Sequence, residues 1–140
     1  MDRPGRRRRA AFLAAAAEGR TLPSLAADLE EAVGRGCTVD VVFETEDDSA
    51  GAYTAHDAQP FHAVTGIRRW RWPAEQRPAT GAALHAKALV VDGRRALMGS
   101  ANLTQRALTA NLEVGVLVSD SAVAGAIEAH VHTSSWWTRC

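Results

Sequence analysis

Residues 85–102 read His85-Ala86-Lys87-Ala88-Leu89-Val90-Val91-Asp92-Gly93-Arg94-Arg95-Ala96-Leu97-Met98-Gly99-Ser100-Ala101-Asn102. The apolar, β-branched run Ala86–Val91 predicts a strand, Asp92-Gly93 is a strong hairpin-turn pair, and Ala96–Met98 resumes as a second strand. Gly99-Ser100 then makes a small-residue turn, and Asn102 stands where a helix over Leu103–Leu108 would begin, with backbone N–H groups that favour an anion. Strand alternation puts His85 and Lys87 on one side, roughly 6.6 Å apart, a spacing that suits two groups gripping one phosphate.

The chemistry of each side chain suggests a role. A histidine that titrates near neutrality, at a pKa of about 6.5, can supply a neutral imidazole to attack phosphorus. Lys87 offers a point charge to a non-bridging oxygen, and the Asn102 amide offers uncharged donors to the charge that builds in the transition state. Ser100 is read as one more donor to that oxygen, beside Gly99. Asp92, at the hairpin turn, is read as serving nearby backbone donors rather than substrate. Glu113 lies in Asn111-Leu112-Glu113-Val114-Gly115-Val116-Leu117-Val118. The Val-rich half of that segment predicts a buried strand, in which an unpaired carboxylate is costly and needs a partner.

The pattern H-x-K-x4-D-x6-G-S-x-N resembles the HKD motif of the phospholipase D superfamily at every defining position, over about Leu84–Val118. The resemblance implies an α/β fold, a mixed β-sheet sandwiched by helices. It also implies a metal-independent phosphodiesterase that needs no cofactor, working through a phosphohistidine on His85. Glu113 then corresponds to the family's glutamate on the strand after the motif helix, which bonds one ring nitrogen of the histidine and leaves the other free to attack. Superfamily sites use two such motifs facing each other, and this chain has one. The resemblance therefore implies a homodimer with His85 of each copy across the site, as in single-motif members that are dimeric nucleases. Within the superfamily, Ser-Ala-Asn-Leu-Thr followed by Asn-Leu-Glu-Val-Gly is most similar to the phospholipase D-like proteins of DISARM anti-phage systems. That similarity implies nucleic acid, DNA before RNA, as substrate, and other defence-system subunits as partners. Two alternatives stay open: a catalytically incomplete scaffold that binds nucleic acid or assembles a complex, and phosphatidyl transfer on lipid.

Outward from the motif, Leu25, Leu29 and Val33 form the apolar stripe of a helix over 24–34, closed by Gly34 and Gly36. Thr38–Glu44 predicts a strand, 46–60 a loop, and 63–72 a short strand. Val123, Ile127 and Val131 mark a helix over 121–133. Residues 1–20 carry Arg6–Arg9 and the alanine-rich Ala10–Ala17, read as a basic tail or helix ahead of a single domain over 21–140. Family domains have a strand, a helix and another strand before the helix placed here at 24, so this reading leaves the sheet short of N-terminal strands. A fragment, a late start codon, or strands from a partner would account for it.

With 140 residues and 46% hydrophobic content, the chain has enough for one small core and no second domain. No apolar run reaches the roughly 18 residues of a membrane span. Arginines ahead of alanines outline a signal peptide, but alanine is a weak hydrophobe and no cleavage site follows. Two cysteines, Cys37 and Cys140, suit the cytoplasm and predict no disulfide. Net charge is zero, yet arginines gather at 3–9 and 68–71. A terminal charge run is usually a solvated tail, and the alternative is a phosphate clamp. For Ile67–Trp72 the preferred reading is Trp70 and Trp72 inward with Arg69 and Arg71 outward, the alternative being a nucleic-acid face. His130 and His132 point apart on a helix, His56 and His62 are read as surface residues, and no metal site is expected.

Overall fold

An apolar strand with one acid in it organises the sheet. In the computed structural model, which describes residues 9–14, 23–43, 63–101, 109–133 and 138–139, Thr38–Phe43 forms strand β2, and Val39, Asp40, Val41, Val42 and Phe43 are all buried. Strand β1 (Arg9–Ala14) precedes helix α1 (Pro23–Gly34). After β2 come β3 (Arg68–Arg71), a 3-10 turn (Ala74–Gln76), β4 (Lys87–Val91), β5 (Arg95–Gly99), β6 (Gly115–Val118), helix α2 (Ser121–Thr133) and β7 (Thr138–Arg139). The described strands make one mixed sheet in the order β6-β5-β4-β1-β2-β3-β7. β2 pairs parallel to β1 and β3, and the remaining pairs are antiparallel.

Alternation along β2 divides the core into two layers. Val39, Val41 and Phe43 pack with Leu29, Val64 and Ile67, with Leu25 and Val33 of α1 against them, so the predicted α1 stripe is the one that is used. Val42 faces the other way and packs with Trp72, Leu84 and Val131 of α2. Further along that face, Val90 and Ala96 meet Ala124 of α2. The sheet is thus sandwiched by helices, as expected.

α1 stops where the sequence suggests. Gly36 takes φ 84°, Cys37 N–H reaches Ala32 O at 3.0 Å, and Gly36 N–H reaches Val33 O at 2.8 Å, the two bonds of a Schellman cap. α2 starts on Asp120, whose Oδ1 accepts from Ala122 N–H at 2.8 Å and Val123 N–H at 3.0 Å. Its buried stripe is Ala124, Ile127 and Val131, whereas the predicted Val123 is 45% exposed. A small side chain lets the helix sit close over β4 and β5, and the helix is rotated accordingly.

Three expectations are corrected. The tail or helix proposed for 1–20 contains β1, which lies at the sheet centre between β2 and β4. A boundary at 20/21 would therefore cut the sheet, and ladder pairing on both edges of β1 outweighs the helix preference of its alanines. The Val-rich segment after Glu113 is the sheet-edge strand β6, with Val116 59% and Leu117 65% exposed, rather than a buried strand. The strand proposed for 63–72 shortens to Arg68–Arg71.

Asp40, 2% exposed, carries the buried charge of the core. Its Oδ1 accepts from Arg68 Nε at 2.6 Å and from Trp70 Nε1 at 2.8 Å, and its Oδ2 accepts from Arg68 Nη2. Burial pushes this carboxyl up. The Arg68 and Trp70 hydrogen bonds, the Arg68 charge and the more remote His132 outweigh it and hold the pKa below the ordinary 3.8. Trp70 and Trp72 lie inward, as preferred, against Val42 and Leu84. Arg69 donates to Val64 O at 3.0 Å, and Arg77 donates to Ala82 O at 2.7 Å and Trp72 O at 3.0 Å. Arg77 also lies over the Trp72 ring, 5.2 Å from its centre. Arg68, Arg69 and Arg77 are tied into the fold.

Asp40→Ala leaves Arg68 and the Trp70 indole facing an empty acceptor site, and is expected to lower stability by about 2–4 kcal/mol in urea denaturation, discounted because Arg68 is partly solvated. Because the folded-state pKa is depressed, this contribution is present above the ordinary Asp range and lost as pH falls through the folded value. Asp40→Asn should flatten the acid side of the stability curve below about pH 4.

Candidate active site

The histidine and lysine of the motif stand at the start of β4. Leu84, 5% exposed, anchors the chain in the Val42–Trp72–Val131 cluster. His85 follows as an exposed residue, and the strand proper begins at Lys87. His85 therefore lies ahead of the strand rather than within it, and strand alternation does not set its direction. Contact with Lys87 is made through the backbone, Lys87 Nζ donating to His85 O at 3.0 Å. Partial burial pushes the Lys87 ammonium below its ordinary range, and the negative charge of Glu113 pulls it back up.

The hairpin carries Asp92 away from this end. Asp92 and Gly93 take φ 54° and 61°, with Arg94 N–H on Val91 O at 3.0 Å, a two-residue turn in which both central residues are left-handed. Asp92 follows the far end of β4, five residue steps from Lys87, roughly 16 Å. Asp92 shapes the turn and stands far from any phosphate held by Lys87.

The return strand ends beside Lys87. Gly99 pairs with Gly115 of β6, one step beyond the pairing of Ala88 with Met98. A Cβ on Gly99 would sit 2.8 Å from Val114 O and 3.2 Å from the Gly115 Cα, so only glycine lets the two backbones approach this closely. That approach positions Ser100. Its N–H donates to Val114 O at 3.0 Å, and its Oγ accepts from Val114 N–H at 3.1 Å. The hydroxyl proton goes to Glu113 Oε2 at 2.5 Å, in preference to Val114 O at 3.4 Å. Ser100, read from sequence as a donor to phosphate, therefore spends its one proton on Glu113.

The other carboxylate oxygen, Glu113 Oε1, accepts from Asn111 Nδ2 at 3.0 Å. The Ser100 bond, then the Asn111 bond, and more weakly the Lys87 charge hold the Glu113 carboxyl below its ordinary 4.5, against a smaller upward push from desolvation. Lys87, Ser100 and Glu113 are thus brought together at one end of the β4–β5–β6 edge. Glu113 takes its hydrogen bonds from Ser100 and Asn111, and among the described residues none joins it to His85. Asn102 lies outside the described residues, as do His56, His62, Trp136, Trp137 and Cys140. No group of three His, Cys, Asp or Glu among the described residues has the form of a metal site.

Two polar residues went unassigned in the sequence. Asn111 was legible only as the amide two residues before the glutamate. Asp40 was legible as a single acid inside an apolar strand.

Residues 11–136 match the family model described as "Cardiolipin synthase, PLD-like domain". Curated relatives include cardiolipin synthase A of Pseudomonas entomophila, 35% identical over 103 residues, and of Pseudomonas aeruginosa, 34% identical over 104. The match takes in 73–74% of this chain but spans only 20% of those proteins. Among solved structures, Nuc of Salmonella typhimurium superposes with a TM-score of 0.70 at 23% identity, covering 94% of this chain and 81% of that one. NucT of Helicobacter pylori gives 0.72 at 14% identity, covering 94% and 82%. Phosphatidylserine synthase of Haemophilus influenzae gives 0.66 at 15% identity, over 94% of this chain and 34% of that one. These structural likenesses establish the fold.

Gly99→Ala should force β5 and β6 apart where Ser100 reaches Glu113. An overpacking cost of about 1–3 kcal/mol is expected in thermal or urea unfolding, because the obstructing atoms are backbone and cannot swing away.

Proposed function

The chain belongs to the phospholipase D superfamily, and we propose that within it the protein is a metal-independent nuclease whose active site is completed by a second copy of the chain. The observation that carries this reading is the convergence of Lys87, Ser100 and an ionised Glu113 beside an exposed His85 at the open end of the sheet. It is one half of a phosphoryl-transfer site.

In the proposed reaction a ring nitrogen of His85 attacks phosphorus, and the bond from phosphorus to the leaving oxygen breaks as the nitrogen–phosphorus bond forms. His85 of the second copy gives its proton to the leaving alcohol. That same histidine then takes a proton from water, whose oxygen attacks phosphorus and releases His85 and a phosphate monoester. Lys87 and Asn102 stabilise the extra negative charge at each transition state. Glu113 opposes the positive charge that grows on the His85 ring. No step in this scheme calls on a metal or an organic cofactor.

Nucleic acid is favoured by the resemblance of the motif to superfamily members with a single motif, which are dimeric nucleases. The likeness of the motif stretch to DISARM proteins supports DNA as the polymer and a defence role in the cytoplasm. Among the described residues no helix is long and apolar enough to cross a membrane. The names of the curated relatives support a second reading, in which a lipid alcohol replaces water and a phosphatidyl group is transferred.

The test is hydrolysis of single- and double-stranded DNA and RNA in excess EDTA, with the mass in solution measured in parallel. The expected result is chelator-resistant cleavage by a dimer, lost by at least about a thousandfold in His85→Ala, with a phosphohistidine trapped by acid-free quench. Cleavage that survives His85→Ala or disappears with EDTA would overturn the mechanism. Salt-sensitive binding of nucleic acid without turnover would identify a non-catalytic scaffold instead. Product formed only from phosphatidylglycerol vesicles would identify the transferase.

A further inference from the structure

Glu113 is partly exposed, and an exposed glutamate normally samples many rotamers in water, which serves a directional role badly. Here each carboxylate oxygen is held by a different side chain, Oε2 by Ser100 and Oε1 by Asn111. We propose that Asn111 is a positioning residue: with Ser100 it fixes the rotation of the Glu113 carboxylate, so that a remaining lone pair is held ready for the His85 ring N–H in the substrate complex. The inference rests on the phosphodiesterase reading for its catalytic consequence, but its structural content does not.

The two donors are built differently, and the difference is informative. Ser100 is locked by the backbone of Val114 on the neighbouring strand, through Ser100 N–H to Val114 O and Val114 N–H to Ser100 Oγ. Its place is set by the sheet. Asn111 is an exposed residue of the same loop as Glu113, two positions away, and its amide closes a local ring with the carboxylate. The carboxylate is therefore pinned from the sheet on one side and from its own loop on the other. Two donors on two oxygens define the plane of the group, which one donor alone cannot do. Each oxygen keeps a second lone pair, so the pair of bonds leaves an acceptor for an imidazole N–H. Both bonds also favour the charged form, the form that orients a histidine tautomer and opposes imidazolium charge.

The experiment uses the full chain with Asn111→Ala, Asn111→Asp, Ser100→Ala, Ser100→Thr and Glu113→Gln, each checked for an unchanged melting curve. Three quantities are read: the Glu113 carboxyl titration by 13C NMR, the His85 tautomer ratio by ring 15N shifts, and kcat and KM for DNA cleavage across pH. Asn111→Ala should raise the Glu113 midpoint, and Asn111→Asp should raise it further, by setting one carboxylate against another. Asn111→Ala should also relax the His85 tautomer ratio in the direction of Glu113→Gln, and lower kcat by about tenfold at unchanged KM, as losses of orienting partners typically do. Ser100→Thr, which keeps the hydroxyl, should retain what Ser100→Ala loses.

An Asn111→Ala protein with wild-type Glu113 titration and His85 tautomer ratio would overturn the proposal. So would a Glu113→Gln protein whose tautomer ratio is unaltered, since Glu113 would then have no contact with His85. If no variant nor the wild type cleaves phosphodiesters, the nuclease reading fails, and the two NMR measurements still decide whether Asn111 positions Glu113.

Discussion

The close approach of two backbones at Gly99 is the constraint on which the site depends. A side chain at that position would collide with the carbonyl of Val114, and its absence lets the end of β5 lie against the start of β6. Ser100 then bonds Val114 in both directions, and its hydroxyl falls on Glu113. Lys87 stands one strand away, beside Gly99, close enough to feel the Glu113 charge. A cation, a hydroxyl and a carboxylate from three strands or strand ends meet because one residue has no Cβ.

The rest of the fold holds that edge in place. The β4–β5 hairpin is closed by its left-handed Asp92-Gly93 turn and backed by Ala124 of α2, so Lys87 and Gly99 are registered from the far end. β4 in turn pairs with β1 at the sheet centre, and β1 with β2. In β2 the Asp40 carboxylate ties β2 to β3 through Arg68 and Trp70 and takes the Arg68 charge into the fold. Of the arginines gathered at 68–71, Arg68 and Arg69 serve a carboxylate and a carbonyl within the molecule, so their charge is used by the fold.

Position in the sheet explains the misreadings. The alanines of β1 resemble a helix when read alone, and only pairing on both sides makes that segment a strand. β6 has the apolar content of a central strand but sits at the edge of the sheet, where β-branched residues are exposed. Val123 and Ala124 exchange roles because the helix rotates to bring the smaller residue onto β4 and β5. In each case a local pattern was read correctly as a preference and then overruled by neighbours far away in the chain.

The sequence by itself determined the superfamily, the hairpin, both helices and the glycine end of the first, and it singled out His85, Lys87, Ser100 and Glu113 as candidates for one site. Those features rest on short spacings, turn chemistry and periodicity, all local. The tertiary structure decided what each member touches: Ser100 and Asn111 hold Glu113, Lys87 reaches the His85 carbonyl, and Asp92 is remote. Direction of a hydrogen bond depends on where a separate strand comes to rest, and no spacing within one segment encodes that.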